Sequence, residues 1–350
     1  MLKGLSLTAL AQKIEANQSA KKDFIAASNE LHVGVNGADG KPALIVPDHG
    51  AYPINSIAHR QIGTFTGIPA QYYDRMLREQ PVLLADNINA WFRRFPAKDK
   101  RLVRTMGGVN RALLSNSYQR IENEEIAEVA LPVLAELPDV KIVSSEITDR
   151  RLYIHFVVPG IQAEVRRGDI VQAGGIISNS EVGFGSVSVS GLIWRLACLN
   201  GLKTSETFRR AHIGRKVDDN EALWADDTKR ADDKAVLLKV RDMVKSIVDH
   251  TRFIAQVDKM RGLADVPLTG DMTKSVEVLT QKLTLPDSLR PSILRSLAEG
   301  GDLTAWGVVN AVTHQAHKAE SYDRAVELEA AGGQLLDLAP GEWRKILEAA

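Results

Sequence analysis

Cysteine is almost missing. Cys198 is the only one in 350 residues, which excludes an internal disulfide and any cysteine-rich zinc site. Aromatic side chains are sparse, at 5% of the chain, so those lying among arginines stand out. Net charge is also lacking: 44 basic and 44 acidic residues balance to zero, which argues against a general nucleic-acid coat. No apolar run approaches the length of a membrane span. Residues 1–18 carry a polar residue every few positions and no small-residue cleavage pattern. They predict a short amphipathic helix in place of a signal peptide, and with it a cytoplasmic protein with no membrane partner.

Catalytic motifs are missing too. Gly262–Gly270 lacks the lysine of a phosphate-binding loop, and Ser186, Ser188 and Ser190 alternate along an extended segment without the flanking glycines of a nucleophile elbow. His314 and His317, with Glu320 beyond them, lack the four-residue histidine spacing and the intervening glutamate of a helical zinc site. Pro138-Asp139 with Glu164-Val165-Arg166 has an arginine where a nuclease would need lysine. No catalytic residue, metal ligand or cofactor is assigned, and an enzyme acting on DNA ranks third among the functions considered.

What is present is an uneven charge distribution. Residues 1–92 hold 8 basic and 8 acidic side chains, 93–216 hold 19 and 13, and 217–350 hold 17 and 23. The middle of the chain is therefore positive and the end acidic, as expected for an anion-binding centre with an acidic partner region; arginine on sheet faces and acid on helices is the plainer explanation. The chain divides into a mainly helical region with a small hairpin (1–100), a basic α+β core (101–216) and an acidic helical region (217–350). An apolar fraction of 44% suffices for a folded core.

The pattern is most informative between Arg151 and Ser205. Arg151–Val158 is a strand closed by Pro159-Gly160; Ile170–Val182 is extended; Gly183-Phe184-Gly185 is a turn; and Ser186–Ser190 alternates with a period of two. From Leu192 the spacing of Leu192, Leu196 and Leu199 predicts a two-turn helix stopped by Asn200-Gly201. The fold class expected is α+β, with a small antiparallel sheet in a β-β-β-α core packed on helices. Elsewhere, residues 5–16 and 21–29 are helix candidates, and Glu30–Asn36 with Pro42–Pro47 form a hairpin. The helices around Gly67 have a helix-turn-helix outline presenting Gln71, Tyr72, Arg75 and Arg78, although such pairs are more often packing units. Asn123 caps a helix interrupted by Pro132. Leu237, Val240, Val244, Ile247, Thr251 and Ile254 predict one long helix over Asp219–Met260, on the order of 60 Å at 1.5 Å per residue, suited to bridging subunits.

Basic residues interleaved with aromatic ones suit a polyanion carrying flat bases. Arg101, Arg104, Arg111, Arg120, Arg150, Arg151, Arg166, Arg167, Arg195 and Lys203 are the candidates to neutralise phosphates. Tyr118, Tyr153, Phe184 and Trp194 are the candidates to stack on bases, although Tyr153 and Trp194 also sit in apolar patterns that fit a core.

Gly67–Leu77, Asn87–Trp91, Arg111–Tyr118, Gly183–Gly201 with its Arg195 and Cys198-Leu199-Asn200-Gly201, Trp306–Thr313 and Tyr322–Leu335 together resemble a phage- and plasmid-borne family catalogued as domain of unknown function 932. The resemblance covers most of the chain and implies a mobile-element setting, without an established reaction. In element order alone, the strands and helix are similar to the core of single-strand annealing recombinases of the Red-beta, Sak and Rad-fifty-two kinds, an analogy of fold. The function expected is single-stranded DNA binding and ATP-independent annealing by a ring or filament of subunits, with recombination or replication proteins as partners. The alternative is a homo-oligomeric scaffold or host-interaction protein that binds no nucleic acid.

Overall fold

The computed structural model describes residues 2–37, 40–210, 226–247 and 249–350. The chain opens with α1 (Leu7–Ala20), whose N-cap Ser6 side chain accepts a hydrogen bond from the Ala9 N–H. It continues through β1 (Lys21–Ala27), β2 (His32–Val35), β3 (Pro42–Val46), β4 (Gly50–Pro53), α2 (Ser56–Thr66), α3 (Ala70–Glu79), α4 (Pro81–Phe92), β5 (Lys100–Met106) and β6 (Val109–Ser115). Then come α5 (Asn123–Glu136), β7 (Lys141–Ile147), β8 (Leu152–Arg166), β9 (Asp169–Asn179), β10 (Val187–Arg195) and β11 (Asn200–Arg210). The rest is helical: α6 (Asp226–Ser246), α7 (His250–Ala264), α8 (Met272–Lys282), α9 (Arg290–Gly300), α10 (Ala305–His314), α11 (Tyr322–Leu336) and α12 (Pro340–Leu347).

The strands form a three-stranded sheet β1-β5-β6, a second of order β2-β3-β4, and a five-stranded antiparallel meander β11-β10-β9-β8-β7. The α+β class, the small antiparallel sheets and the helical C-terminal part are as the sequence predicts. The meander is covered on both faces. Ile154, Phe156, Ile177, Val187 and Val189 pack on one side against Ile126 and Ala130 of α5 and Val236, Val240 and Val244 of α6. On the other, Tyr153 meets Tyr322 and Val326 of α11, and His155 meets Glu329 at 3.2 Å. Farther along the meander, Val171, Ala173, Ile193 and Leu202 join the core of the C-terminal helices.

Double coverage explains the main local departure. Residues 192–195 are the end of β10, and 196–199 are the turn into β11; the expected two-turn helix is absent there. Every β10 residue from Val187 to Trp194 is buried, so the polar alternation that marks a half-exposed strand fades at its end and leaves leucines at a helical spacing by coincidence. Residues 21–29 likewise contain β1, paired along its whole length with β5. The hairpin at 30–47 is present as β2-β3 and gains β4; Ala38 and Asp39 of its turn lie outside the described residues.

The predicted long helix is two helices. Asp249 accepts from the Arg252 N–H and starts α7 afresh, even though the apolar stripe runs through the break. The part of that prediction falling on 219–225 lies outside the described residues. The helix cap near Asn123 falls one residue earlier: Glu122 is the N-cap, with Glu125 accepting from the Glu122 N–H at 2.8 Å, and Pro132 is held inside α5.

Gly175 of β9 is packed between the Phe156 ring and Ile247, which follows α6. A Cβ there would lie 2.5 Å from the Phe156 ring and 3.1 Å from Ile247. Gly175→Ala is expected to lower the unfolding free energy by about 1–3 kcal/mol in a urea titration, because the ring must leave its packed position. An unchanged midpoint would show that the contact gives way freely.

Candidate nucleic-acid interface

Residues 180–186 connect β9 to β10 and dive between the meander and the β1-β5-β6 sheet before surfacing at Gly183. At the buried end, Glu181 Oε1 accepts from Lys21 Nζ at 2.6 Å and from the Asn123 N–H at 2.8 Å; Oε2 accepts from Arg111 Nη1 at 2.6 Å. The Glu181 carbonyl accepts from Arg104 Nη1 at 2.8 Å, and Arg104 also reaches Asp23 at 3.1 Å and Glu122. Lys21 donates to Glu122 at 3.1 Å and Glu124 at 2.8 Å. Neighbouring elements clamp the loop further. Tyr118 donates to the Ser180 carbonyl at 2.7 Å, and Gln61 of α2 bridges the Val182 carbonyl and the Leu113 N–H.

These contacts set the ionisation of the group. Burial works against the Glu181 charge, but Arg111 and Lys21 outweigh it and hold the carboxyl down at about 2. Burial raises Glu122, against the pull of Arg104. Burial also opposes the Arg104 charge, yet Glu122 and Asp23 more than offset it and raise its pKa. The oxygens of Glu122, Glu124 and Glu181 lie within 4.8 Å of one another, close enough to hold a metal ion. All three converge on Lys21 Nζ, whose ammonium already supplies a cation there.

At its outer end the same loop builds a different surface. Gly183 (φ 79°) and Gly185 (φ 150°) turn the backbone through angles open to glycine. A Cβ on Gly185 would overlap the Arg151 guanidinium, which lies along the loop and donates through Nε to the Phe184 carbonyl at 2.8 Å. The Arg150 guanidinium stands 5.1 Å from the centre of the half-buried Phe184 ring, a cation–π arrangement. The Thr148 Oγ1 accepts from the N–H groups of Arg150 and Arg151 at 3.1 and 3.0 Å and fixes the turn that carries them. Neither arginine pairs with a carboxylate among the described residues.

The predicted cations do not converge. Arg104 and Arg111 are interior, 1% and 8% exposed, and are occupied by the carboxylates above; that is a correction to their placement as phosphate ligands. Arg101 bonds Asp99 at 3.1 Å and stacks on Phe65, Arg120 faces Asp23 at 3.4 Å, Arg166 pairs with Asp302 at 3.1 Å, and Arg195 with Asp169 at 2.5 Å. Lys203 lies on β11 opposite Leu192, with Gly333 of α11 packed on its carbonyl; Arg167 is exposed in the β8–β9 turn. Among the aromatics, Trp194 is buried with Val157, Ile176 and Leu192, Tyr153 donates to Asp323 at 2.8 Å beneath α11, and Tyr118 is tied to Ser180. These three rings are held within the fold, and the surface that the structure does assemble is Arg150, Arg151 and Phe184.

The outline at 56–79 is present as α2, a turn at Gly67 (φ 71°) and α3. Gln71, Tyr72, Arg75 and Arg78 are exposed on it, with both arginines bonded to Glu79. His314 and His317 turn to separate partners, Ser296 and the Cys198 carbonyl. Sequence reasoning missed Lys21 and Glu181. Their signal was indirect: Arg104 and Arg111 inside apolar strands demand buried carboxylates.

Removing one side of this network leaves uncompensated charge. Arg104→Met is expected to cost about 3–5 kcal/mol of stability by chemical denaturation. For Glu181, whose pKa is depressed from the ordinary 4.5, the contribution is complete above 4.5 and is lost as pH falls toward about 2. Glu122 acts in the opposite sense, so the test is the difference between wild type and Glu181→Gln across that window. The difference should shrink as pH falls, and a constant difference would contradict the assignment. Comparison of the chain with protein-family models, with curated proteins and with solved structures finds no match.

Proposed function

We propose that the protein binds single-stranded DNA, with Arg150 and Arg151 meeting the phosphates and Phe184 offering a ring to a base, and that it pairs complementary strands without nucleotide hydrolysis. The observation that carries this reading is the pairing of two arginines that have no carboxylate partner among the described residues with a half-buried aromatic ring on one loop-and-turn surface. Single strands suit that combination because a stacking ring tolerates any base while the cations follow the backbone. A shallow surface of this kind holds the backbone and leaves base edges free for a second strand to test. Its small size is the reason for proposing a ring or filament of subunits, which would repeat the contact along the strand. The resemblance of Gly67–Leu77 and Gly183–Gly201 to a phage- and plasmid-borne family supports a setting in recombination or replication.

A second reading, a homo-oligomeric scaffold, is favoured by a specific feature: Tyr72, Val82, Leu83 and Trp91 are exposed apolar side chains on α3 and α4. Fluorescence polarisation of labelled single-stranded and duplex oligonucleotides across a salt series separates the two. Annealing predicts preference for the single strand and affinity that falls steeply with salt. Arg150→Ala/Arg151→Ala, removing two phosphate contacts, should reduce the slope of log K against log salt by about 1.4 and weaken binding on the order of tenfold. Salt-insensitive or absent binding would favour the scaffold.

A further inference from the structure

A cavity of about 520 Å³ opens beside Arg150, against the segments 286–292 and 315–328. Its lining carries charges of both signs, and they are unequally engaged. Glu327 is taken up by Arg324 Nη1 at 2.6 Å, and Asp323 accepts from the hydroxyls of Tyr153 at 2.8 Å and Thr148 at 3.2 Å. Arg150 and Lys318 pair with no carboxylate among the described residues. Arg324 Nη2 is shielded from solvent and has no acceptor, a costly state for a guanidinium N–H. The first turn of α11 borders the same space: Ser321, Asp323 and Arg324 line it, and Ser321 caps the helix by accepting from the Arg324 N–H at 3.2 Å.

We infer that this cavity is a site for a phosphate-bearing nucleotide unit. Arg150 and Lys318 are the phosphate ligands. The volume falls in the range of small-molecule sites, roughly 300–1,000 Å³, and leaves room for a sugar and base beyond the phosphate. Glu320, exposed on the rim, offers a carboxylate to the amino or imino donors of a base. Two sources carry this chemistry: a free mononucleotide, and the 5′-phosphorylated end of a DNA strand. For the second source the inference rests on the polynucleotide reading above, since Arg150 would join the cavity to the Phe184 surface.

The test uses 3′-fluorescein oligo-dT with a 5′-phosphate or a 5′-hydroxyl in polarisation titrations, and dTMP and inorganic phosphate in calorimetry, on wild type and Lys318→Ala. If the strand end is the ligand, the phosphorylated strand binds about tenfold more tightly than the hydroxyl strand. Lys318→Ala then abolishes the difference, leaves the hydroxyl strand unchanged, and melts like wild type. If the free nucleotide is the ligand, dTMP binds and Lys318→Ala weakens it, with no preference between strands. Equal affinity for both strands together with no heat from dTMP overturns the site, and salt-dependent binding of the hydroxyl strand in the same titration would leave the polynucleotide reading standing. Binding of dTMP that Lys318→Ala weakens, without binding of either strand, would keep the site and remove that reading. Inorganic phosphate binding as tightly as dTMP would overturn the assignment of a nucleotide.

Discussion

The Glu181 carboxylate holds the structure together at its least replaceable point. It joins Lys21 at the start of β1, Arg111 in β6 and the first N–H of α5, while its own carbonyl takes Arg104 from β5. Taking these charges out of water is expensive, and their mutual attraction offsets the cost only while every partner is in place. The network is therefore weak as a source of net stability and strong as a specifier. It fixes the relation of the β1-β5-β6 sheet to the five-stranded meander, and it fixes the path of the loop that leaves Glu181.

That path connects folding to the proposed function. The loop enters the interior as charge and emerges as a glycine-flanked phenylalanine, four residues after its buried start at Ser180. Because Glu181 is anchored, Phe184 presents its carbonyl to Arg151 and its ring to Arg150, and the turn held by Thr148 brings those arginines from the neighbouring strand. The same chemistry, arginine against an acceptor, is used at both ends of the loop with opposite results. Inside, carboxylates consume Arg104 and Arg111; outside, a neutral carbonyl and a ring leave Arg150 and Arg151 with charge to spare.

Much of this was legible in the sequence and some was not, for physical reasons. The strand from 151, the extended run from 170, the turn at 183–185 and the alternation at 186–190 announced themselves through β-branched residues and glycine. But β8 runs through Pro159-Gly160 to Arg166 where the sequence closes it, and β9 ends at Asn179 where the sequence extends it to Val182. The end of β10 did not announce itself, since Ile193 on one face of the meander and Trp194 on the other are both buried, which erases the period of two. The split between α6 and α7 was hidden because the apolar stripe continues past Asp249, whose capping hydrogen bond decides the break. For the site, counting arginines located the right region but could not separate paired from unpaired ones. Burial makes that distinction: Arg104 and Arg150 have the same side chain, and only the first has Asp23 and Glu122 within reach. Lys318 and Arg324 were masked by the acidic balance of the C-terminal third, where a net sum conceals a local cluster.

The central claim is that single-stranded DNA meets the protein at the outer end of the Glu181 loop. Photocrosslinking with a bromodeoxyuridine-substituted single strand, followed by peptide mapping, tests it most directly. The account predicts crosslinks at Phe184. Crosslinks confined to Tyr72 or Trp91, with the 180–186 segment unmodified, would contradict it.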